Sequence, residues 1–327
     1  MSHIHYYAQP ALRDPLIIAA FQGWNDAAEA TTNAVQFLVD RWSPAKIAEI
    51  DSEDFFIFTE TRPHVKFSDE DKRSIVWPSN EFFAYNTPDL ERDIILFLGT
   101  EPQLKWQTFS QSFLKVCKYF RASDVILFGS MLSDVPHSLS VPITGTSYDP
   151  EALRRLEEMN LPASGYEGPT GILSVLLEDC NRAQIPTTMF WAAAPHYLAT
   201  TPNVMISSAL LTTLNTYLSL ELDLQEIQAQ ALRFSARIDA MVARDPEASE
   251  YVRQLEEQMD EIENEIEIEV ELEDEEDEED EEASVLEDYA SLPLPGADVL
   301  IQDIEAMLRM EREHLPYYSE DDEKDTE

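Results

Sequence analysis

Positive charge is scarce in this chain: 22 Lys and Arg stand against 65 Asp and Glu over 327 residues, a formal net charge of −43. Phosphate contacts need clustered Lys and Arg, and their lack excludes a nucleic-acid partner. Glycine is scarce too, at 8 residues. Neither Gly-x-Gly-x-x-Gly nor Gly-x-x-x-x-Gly-Lys-Ser/Thr occurs, so backbone cradling of a nucleotide phosphate is disfavoured. The two cysteines, Cys117 and Cys180, are too few for a disulfide framework and do not form a Cys-x-x-Cys pair. The six histidines are dispersed, without His-x-x-x-His or His-Glu-x-x-His, so no metal and no cofactor is expected. No apolar run reaches the roughly 18 residues of a membrane span. Met1-Ser2-His3-Ile4-His5 lacks a basic stretch followed by an apolar one, so no secretory signal is expected either. The expected location is the cytoplasm.

What the chain does have is unevenly distributed. Residues 1–244 hold 30 acids and 18 bases, whereas residues 245–327 hold 35 and 4. The first part reads as an acidic globular domain and the second as an interaction arm or solvated tail. Apolar runs of strand length at 16–21, 46–50, 55–58, 74–77, 93–98, 124–129 and 187–192 alternate with helical stretches at 26–41, 106–121, 150–159, 170–183 and 203–219. Ile94 to Leu98 and Val125 to Phe128 are apolar throughout, as strands covered on both faces are. This alternation predicts an α/β/α sandwich, three layers around a mixed, largely parallel sheet, over residues 1–222.

Beyond Asp223 the pattern changes. Leu224, Ile227, Ala231, Phe234, Ile238 and Met241 form one helical seam; Asp245-Pro246 interrupts it; Val252, Leu255, Met259, Ile262 and Ile266 form a second. Residues 223–272 therefore read as a helical hairpin whose seams help self-association. Alternation of Glu with Ile, Val and Leu over 266–272 is assigned to helix, because Glu is depleted in strands. Ten consecutive acids at 273–282 open a linker, 273–296, expected to be disordered. A terminal amphipathic helix, 297–312, follows within the closing segment 297–327, with apolar positions 300, 301, 304, 307 and 308.

The candidate functional residues sit at predicted strand ends. Gly23-Trp24-Asn25-Asp26 joins the first strand to the first helix; it either caps that helix or borders a crevice at a strand carboxyl end. Glu101 follows the most apolar strand, where it either faces a substrate or places charge at a helix N-terminus. His137 and His196 each follow a proline and either satisfy loop carbonyls or act in an acid–base pair, Asp134 with His137 or Glu167 with His196. Tyr166-Glu167-Gly168-Pro169 leads into Thr170, a helix cap. If the strand ends lie side by side, Trp24, Asn25, Asp26, Glu101, His137, Tyr166, Glu167, Thr170 and His196 line one cleft. No Gly-x-Ser-x-Gly elbow or other catalytic set accompanies them, and no catalytic residue is assigned.

Seven motifs in register carry a family resemblance: Gly23-Trp24-Asn25-Asp26, Arg62-Pro63, Trp77-Pro78-Ser79-Asn80, Gly99-Thr100-Glu101-Pro102, Pro136-His137, Tyr166 to Ile172, and Trp191 to Tyr197. In this order they resemble bacterial, actinobacterial-type members of the proteasome assembly chaperone 2 family, over about residues 10–240; the segment 295–312 resembles the short terminal helix of such members. Two positions depart from the family's habit: Ser138-Leu139-Ser140 stands where Thr-Arg-Pro commonly follows Pro-His, and Ala27-Ala28 where Ala-Gly is usual. The resemblance implies a sandwich similar to nucleoside phosphorylases and related hydrolases, and self-association into a homo-oligomer, as trimers in bacterial members. It also implies a non-enzymatic, assembly-chaperone-like role toward an unknown protein client. The alternative is a small-molecule binder or phosphorylase-like enzyme acting on a nucleoside-like substrate in the cleft.

Overall fold

The computed structural model describes residues 3–67, 72–88, 90–164 and 166–273, with side chains through residue 261. The linker beyond Glu273 and the terminal helix expected at 297–312 lie outside the described residues.

Strand length and apolar alternation place the centre of the sheet. β2 (Leu16–Gln22), β7 (Ile94–Thr100), β8 (Asp124–Ser133) and β10 (Thr187–Pro195) run parallel in the order β7-β2-β8-β10. Antiparallel strands extend this centre on both sides: β6 (Asn80–Tyr85), β3 (Ala45–Ile50) and β1 (Ile4–Tyr6) beyond β7, and β9 (Ile143–Ser147) beyond β10. The result is the expected three-layer mixed sheet, parallel at its core.

Each central strand divides its side chains between two cores with a period of two. Ile17, Ala19, Phe21, Ile95, Phe97, Val125 and Leu127 meet α2 (Trp106–Phe120) and α4 (Ile172–Arg182). Leu16, Ile18, Ala20, Ile94, Leu96, Ile126 and Phe128 meet α1 (Ala30–Trp42), α3 (Pro150–Glu158) and α5 (Val204–Leu218). Burial on both faces is why these strands read as unbroken apolar runs.

Two expectations are corrected. Residues 55–58 form no strand. Phe55 is buried edge-to-face against Phe109, at 5.3 Å between ring centres, while its carbonyl accepts from the backbone of Gln103 and Leu104 at 2.9 and 3.0 Å. The backbone of this apolar turn is thus satisfied by the loop before α2, and no ladder is needed. Residues 74–77 do contain a strand, β5 (Arg73–Val76), but it pairs only with β4 (His64–Phe67) in a separate, fully exposed two-stranded hairpin.

The hairpin α6 (Gln225–Val242) and α7 (Pro246–Glu273) turns at Asp245, whose carboxylate accepts from Glu247 N at 2.9 Å. Helix continues through the Glu-alternating stretch as expected. The two seams do not only cover each other. Phe234, Ile238, Met241, Tyr251, Val252 and Leu255 close over Tyr197 and Leu198 of the main domain. Met259 inserts between Val135 and Ala193, beside Met131, Leu139 and Trp191. Leu255 is fully buried within its own chain, which corrects its expected part in self-association. Leu255→Ala is expected to cost about 2–5 kcal/mol, measured as a lowered denaturant midpoint; an unchanged midpoint would mean that α7 melts apart from the domain.

Candidate functional site

The carboxyl ends of β2 and β7 lie side by side, because Gln22 pairs with Thr100. This register brings Glu101 against the Gly23-Trp24-Asn25 loop. Glu101 Oε1 accepts from Asn25 Nδ2 at 2.9 Å and from the backbone N–H of Ile172, the first residue of α4, also at 2.9 Å; Oε2 accepts from Trp24 N at 3.3 Å. The glutamate does sit at a helix N-terminus, but that of α4 and not of the α2 that follows it in sequence. One carboxylate thus joins β7, the loop after β2 and the start of α4, with charge-assisted bonds that also oppose the helix dipole.

Asn25 is fully buried, and its carbonyl accepts from Ser130 N at 2.9 Å, which links the loop to β8. Its Oδ1 has no hydrogen-bond partner. A Cβ at position 171 would stand 2.1 Å from that oxygen, so only glycine fits before α4. Asp26 turns the other way and is 7% exposed. Its carboxylate accepts from Thr31 N and Thr31 Oγ1 at 2.8 and 2.6 Å and from Thr32 N at 3.2 Å, capping α1. Burial raises its pKa, against these hydrogen bonds. Between Asp26 and α1, Ala28 holds φ at +54°, a left-handed conformation that glycine adopts without strain and alanine does not.

Above this frame opens a cleft of about 690 Å³. Its lining comes from Trp24 and Ala27 after β2, Met131 and Leu132 of β8, Thr146 and Tyr148 at the end of β9, Met189 and Trp191 of β10, and Ser164, Tyr166, Pro169, Thr170, Ser174 and Leu177 around the start of α4. No charged side chain is among them. Trp24 is 59% exposed, Tyr148 51% and Tyr166 48%. The Trp24 and Trp191 rings meet edge to face at 6.4 Å. Trp191 can lie flat across β8 because residue 129 is glycine; a Cβ there would come within 2.7 Å of the indole. Tyr166 is fixed by its hydroxyl, which donates to Pro169 O at 3.1 Å.

The structure therefore brings Trp24, Tyr166 and Thr170 together on the cleft wall, with Glu101 and Asn25 bracing it from behind. The remaining candidates lie elsewhere. Glu167 is exposed on the loop before α4. His196 faces Asp134, Nδ1 to Oδ1 at 3.1 Å, so its acidic neighbour is not Glu167. His137 lies beneath the helical hairpin, 3% exposed. Its N–H donates to Tyr197 Oη at 2.6 Å, and that hydroxyl stands 2.7 Å from Nδ1, to which it can donate; the ring proton is then on Nε2, 3.2 Å from Asp239 Oδ1 of α6. Burial lowers the His137 pKa, against the pull of Asp239 and Glu256. Both thiols are buried, and burial pushes Cys180 up to about 11 and Cys117 well above its ordinary value, so neither is a ready nucleophile. Among the described residues no group of three or more His, Cys, Asp or Glu could hold a metal ion.

Met131, Leu132, Tyr148 and Trp191 escaped the sequence reading as cleft residues. The available signal was the length of β8: apolar residues continue at Met131 and Leu132, past the 124–129 strand that the sequence predicts, and β8 runs to Ser133.

A family model described as the PAC2 family matches residues 20–242. The chain belongs to the PAC2 family. A PAC2 family protein from Streptomyces avermitilis is 34% identical, superposes with a TM-score of 0.67, and is matched over 73% of this chain and 100% of its own. A proteasome-assembly chaperone homologue from Mycobacterium tuberculosis is 35% identical, with a TM-score of 0.66 over 72% of this chain and 99% of its own. PbaB, an archaeal proteasome activator from Pyrococcus furiosus, shares the fold at 18% identity and a TM-score of 0.59, over 74% of this chain and 99% of its own. No curated protein matches the chain. The PAC2 match ends at the last residue of α6, and α7 lies beyond it. This helix docks on the loop that departs from the family's habit: Ser138 Oγ donates to Glu256, and Leu139 packs beside Met259.

Two outcomes are expected of this PAC2 frame. Glu101→Ala removes the acceptor for three donors and should cost about 1–3 kcal/mol, read as a lowered melting temperature together with changed Trp24 fluorescence. As pH falls below about 6.5, the unfolded chain protonates His137 while the native ring resists, so stability declines from about pH 7 toward pH 5.5. His137→Asn should flatten that decline in denaturant midpoints; equal slopes for the two proteins would contradict the assignment.

Proposed function

We propose that this PAC2 protein is an assembly-chaperone-like interaction protein, non-enzymatic and cytoplasmic, which associates with itself and holds a protein client in the cleft at the strand carboxyl ends. The observation that carries this reading is the lining: exposed Trp24, Tyr148 and Tyr166 rings, flanked by Met131 and Leu132, with no charged side chain, in a chain of net charge −43. Large apolar patches rimmed by polar surface are the mark of interaction sites, and aromatic anchors dominate binding energy at them. Family membership, and a relative described as a proteasome-assembly chaperone homologue, agree with this role and make proteasome subunits the first clients to test. Self-association as a homo-oligomer, in trimers, rests on the family resemblance.

The enzyme reading would need an acid, a base or a cation at the cleft to act on a nucleoside-like substrate. The ionisable candidates do not line the cleft: Asp26 is spent on α1, Glu101 on α4 and His137 on Tyr197 and Asp239, while His196 faces Asp134 and Glu167 lies exposed on the loop before α4. Among the described residues no helix is long and apolar enough to cross a membrane.

Placing a photo-crosslinking amino acid at position 24 or 166 of the full chain in its own cells tests the reading. Discrete protein adducts are expected from both positions, at least about tenfold above those from position 232, an exposed site on α6, since interface probes report the desolvated centre of a contact. Adducts no stronger than at position 232, together with a rise in melting temperature on adding nucleosides or sugar phosphates, would favour the enzyme reading.

A further inference from the structure

The rings of Trp24, Tyr148 and Tyr166 in the cleft are half in water, and the same chain carries a second apolar stripe at positions 300, 301, 304, 307 and 308. We propose that, in the absence of a client, the chain's own segment 297–312 occupies the cleft, seating Leu300, Ile301, Ile304, Met307 and Leu308 on Trp24, Met131, Leu132, Tyr166 and Trp191. This rests on the reading of the cleft as a docking site and names its resident occupant.

Three observations carry the proposal. The first is chemical fit. Positions 300, 304, 307 and 308 recur at the spacing of one helix face, the pattern by which amphipathic helices enter apolar grooves. Their span, about 12 Å along a helix axis, suits a cleft of about 690 Å³. The second is charge. Residues 297–312 hold four acids and two bases, after a tether that opens with ten consecutive acids. A segment delivered by so acidic a tether is repelled from acidic surface, and the cleft lining has no acidic side chain to repel it.

The third is where the tether starts. α7 packs next to the cleft: Met259 lies beside Met131 and Trp191, two of the lining residues. From Met259 the helix runs 14 residues to Glu273, which carries the chain about 21 Å away at 1.5 Å per residue. The 23 residues from 274 to 296 span about 24–29 Å as a flexible coil, and further when like charges extend them. The tether is therefore long enough to bring residue 297 back to the cleft. At such tether lengths the local concentration of the segment reaches the millimolar range, so modest intrinsic affinity suffices for occupancy. A client then enters by displacing the segment.

The test uses a fluorescently labelled synthetic peptide of residues 297–312 and two full-length proteins, the natural chain and a variant carrying Leu300→Asp, Ile304→Asp and Leu308→Asp. The variant should bind the peptide at least about tenfold more tightly, because its own segment no longer competes. The difference should persist on dilution of the protein, as an intramolecular competitor requires. Adding Trp24→Ala and Tyr166→Ala to the variant should weaken peptide binding by about tenfold, with an unchanged far-ultraviolet spectrum as the control for folding. Equal affinity of the two proteins, no binding to either, or binding indifferent to Trp24 and Tyr166 overturns the proposal. A difference that vanishes on dilution also overturns it, and assigns the cleft to the segment of a second copy. The client adducts from positions 24 and 166 do not depend on the peptide, so a failure here is distinguishable from a failure of the docking reading.

Discussion

The carboxylate of Glu101 holds the functional end of this molecule together. It accepts from Trp24 N and the Asn25 amide in the loop after β2 and from the first N–H of α4, so that three parts of the chain, its own strand end included, meet at one carboxylate. The start of a helix leaves backbone donors unsatisfied, and α4 has no side-chain cap at Gly171. A carboxylate supplied from a neighbouring strand fills that need and fixes the position of the helix. Trp24 stands on one side of this anchor and Tyr166, with the loop before α4, on the other, so the walls of the cleft follow from a single ionic hydrogen-bond network behind them.

That arrangement explains why a site so rich in polar residues at the sequence level is apolar in space. Asp26 and Glu101 turn inward and are spent on backbone and side-chain donors, and Asn25 gives its amide to Glu101, which leaves the rings of Trp24, Tyr148, Tyr166 and Trp191 to line the cleft. An enzyme cleft keeps its acids and bases facing the substrate; here Asp26 and Glu101 stand behind the wall. α7 reinforces the same end of the molecule. It seats Met259 beside Met131 and Trp191 and closes α6 over His137 and Tyr197, and it begins beyond the segment matched by the PAC2 model.

Much of the fold was legible beforehand because burial on two faces demands continuous apolar strands. Ile94 to Leu98 and Val125 to Phe128 could be neither edge strands nor exposed helices. Among the antiparallel flanks β3 was legible at 46–50, but β6 and β9 were not, for the opposite reason. β6 buries Asn80, Phe82 and Ala84 and half-exposes the residues between them, and β9 is five residues that include a glycine; such short, half-buried segments look like loops. The turn at Phe55 failed in the other direction, its apolar run arising from aromatic packing on Phe109 rather than from a ladder.

Sequence alone determined the layered α/β architecture, the break at Asp245-Pro246 and the family, since all of these depend on local periodicity or on motifs contiguous in the chain. Only the tertiary structure decided which way each polar side chain turns and which acid meets which histidine. Asp134 faces His196, and Asp239, a hundred residues on, faces His137. Such pairings depend on strand register and helix docking, which bring distant residues within about 3 Å of each other, and no local pattern encodes a distance of that kind.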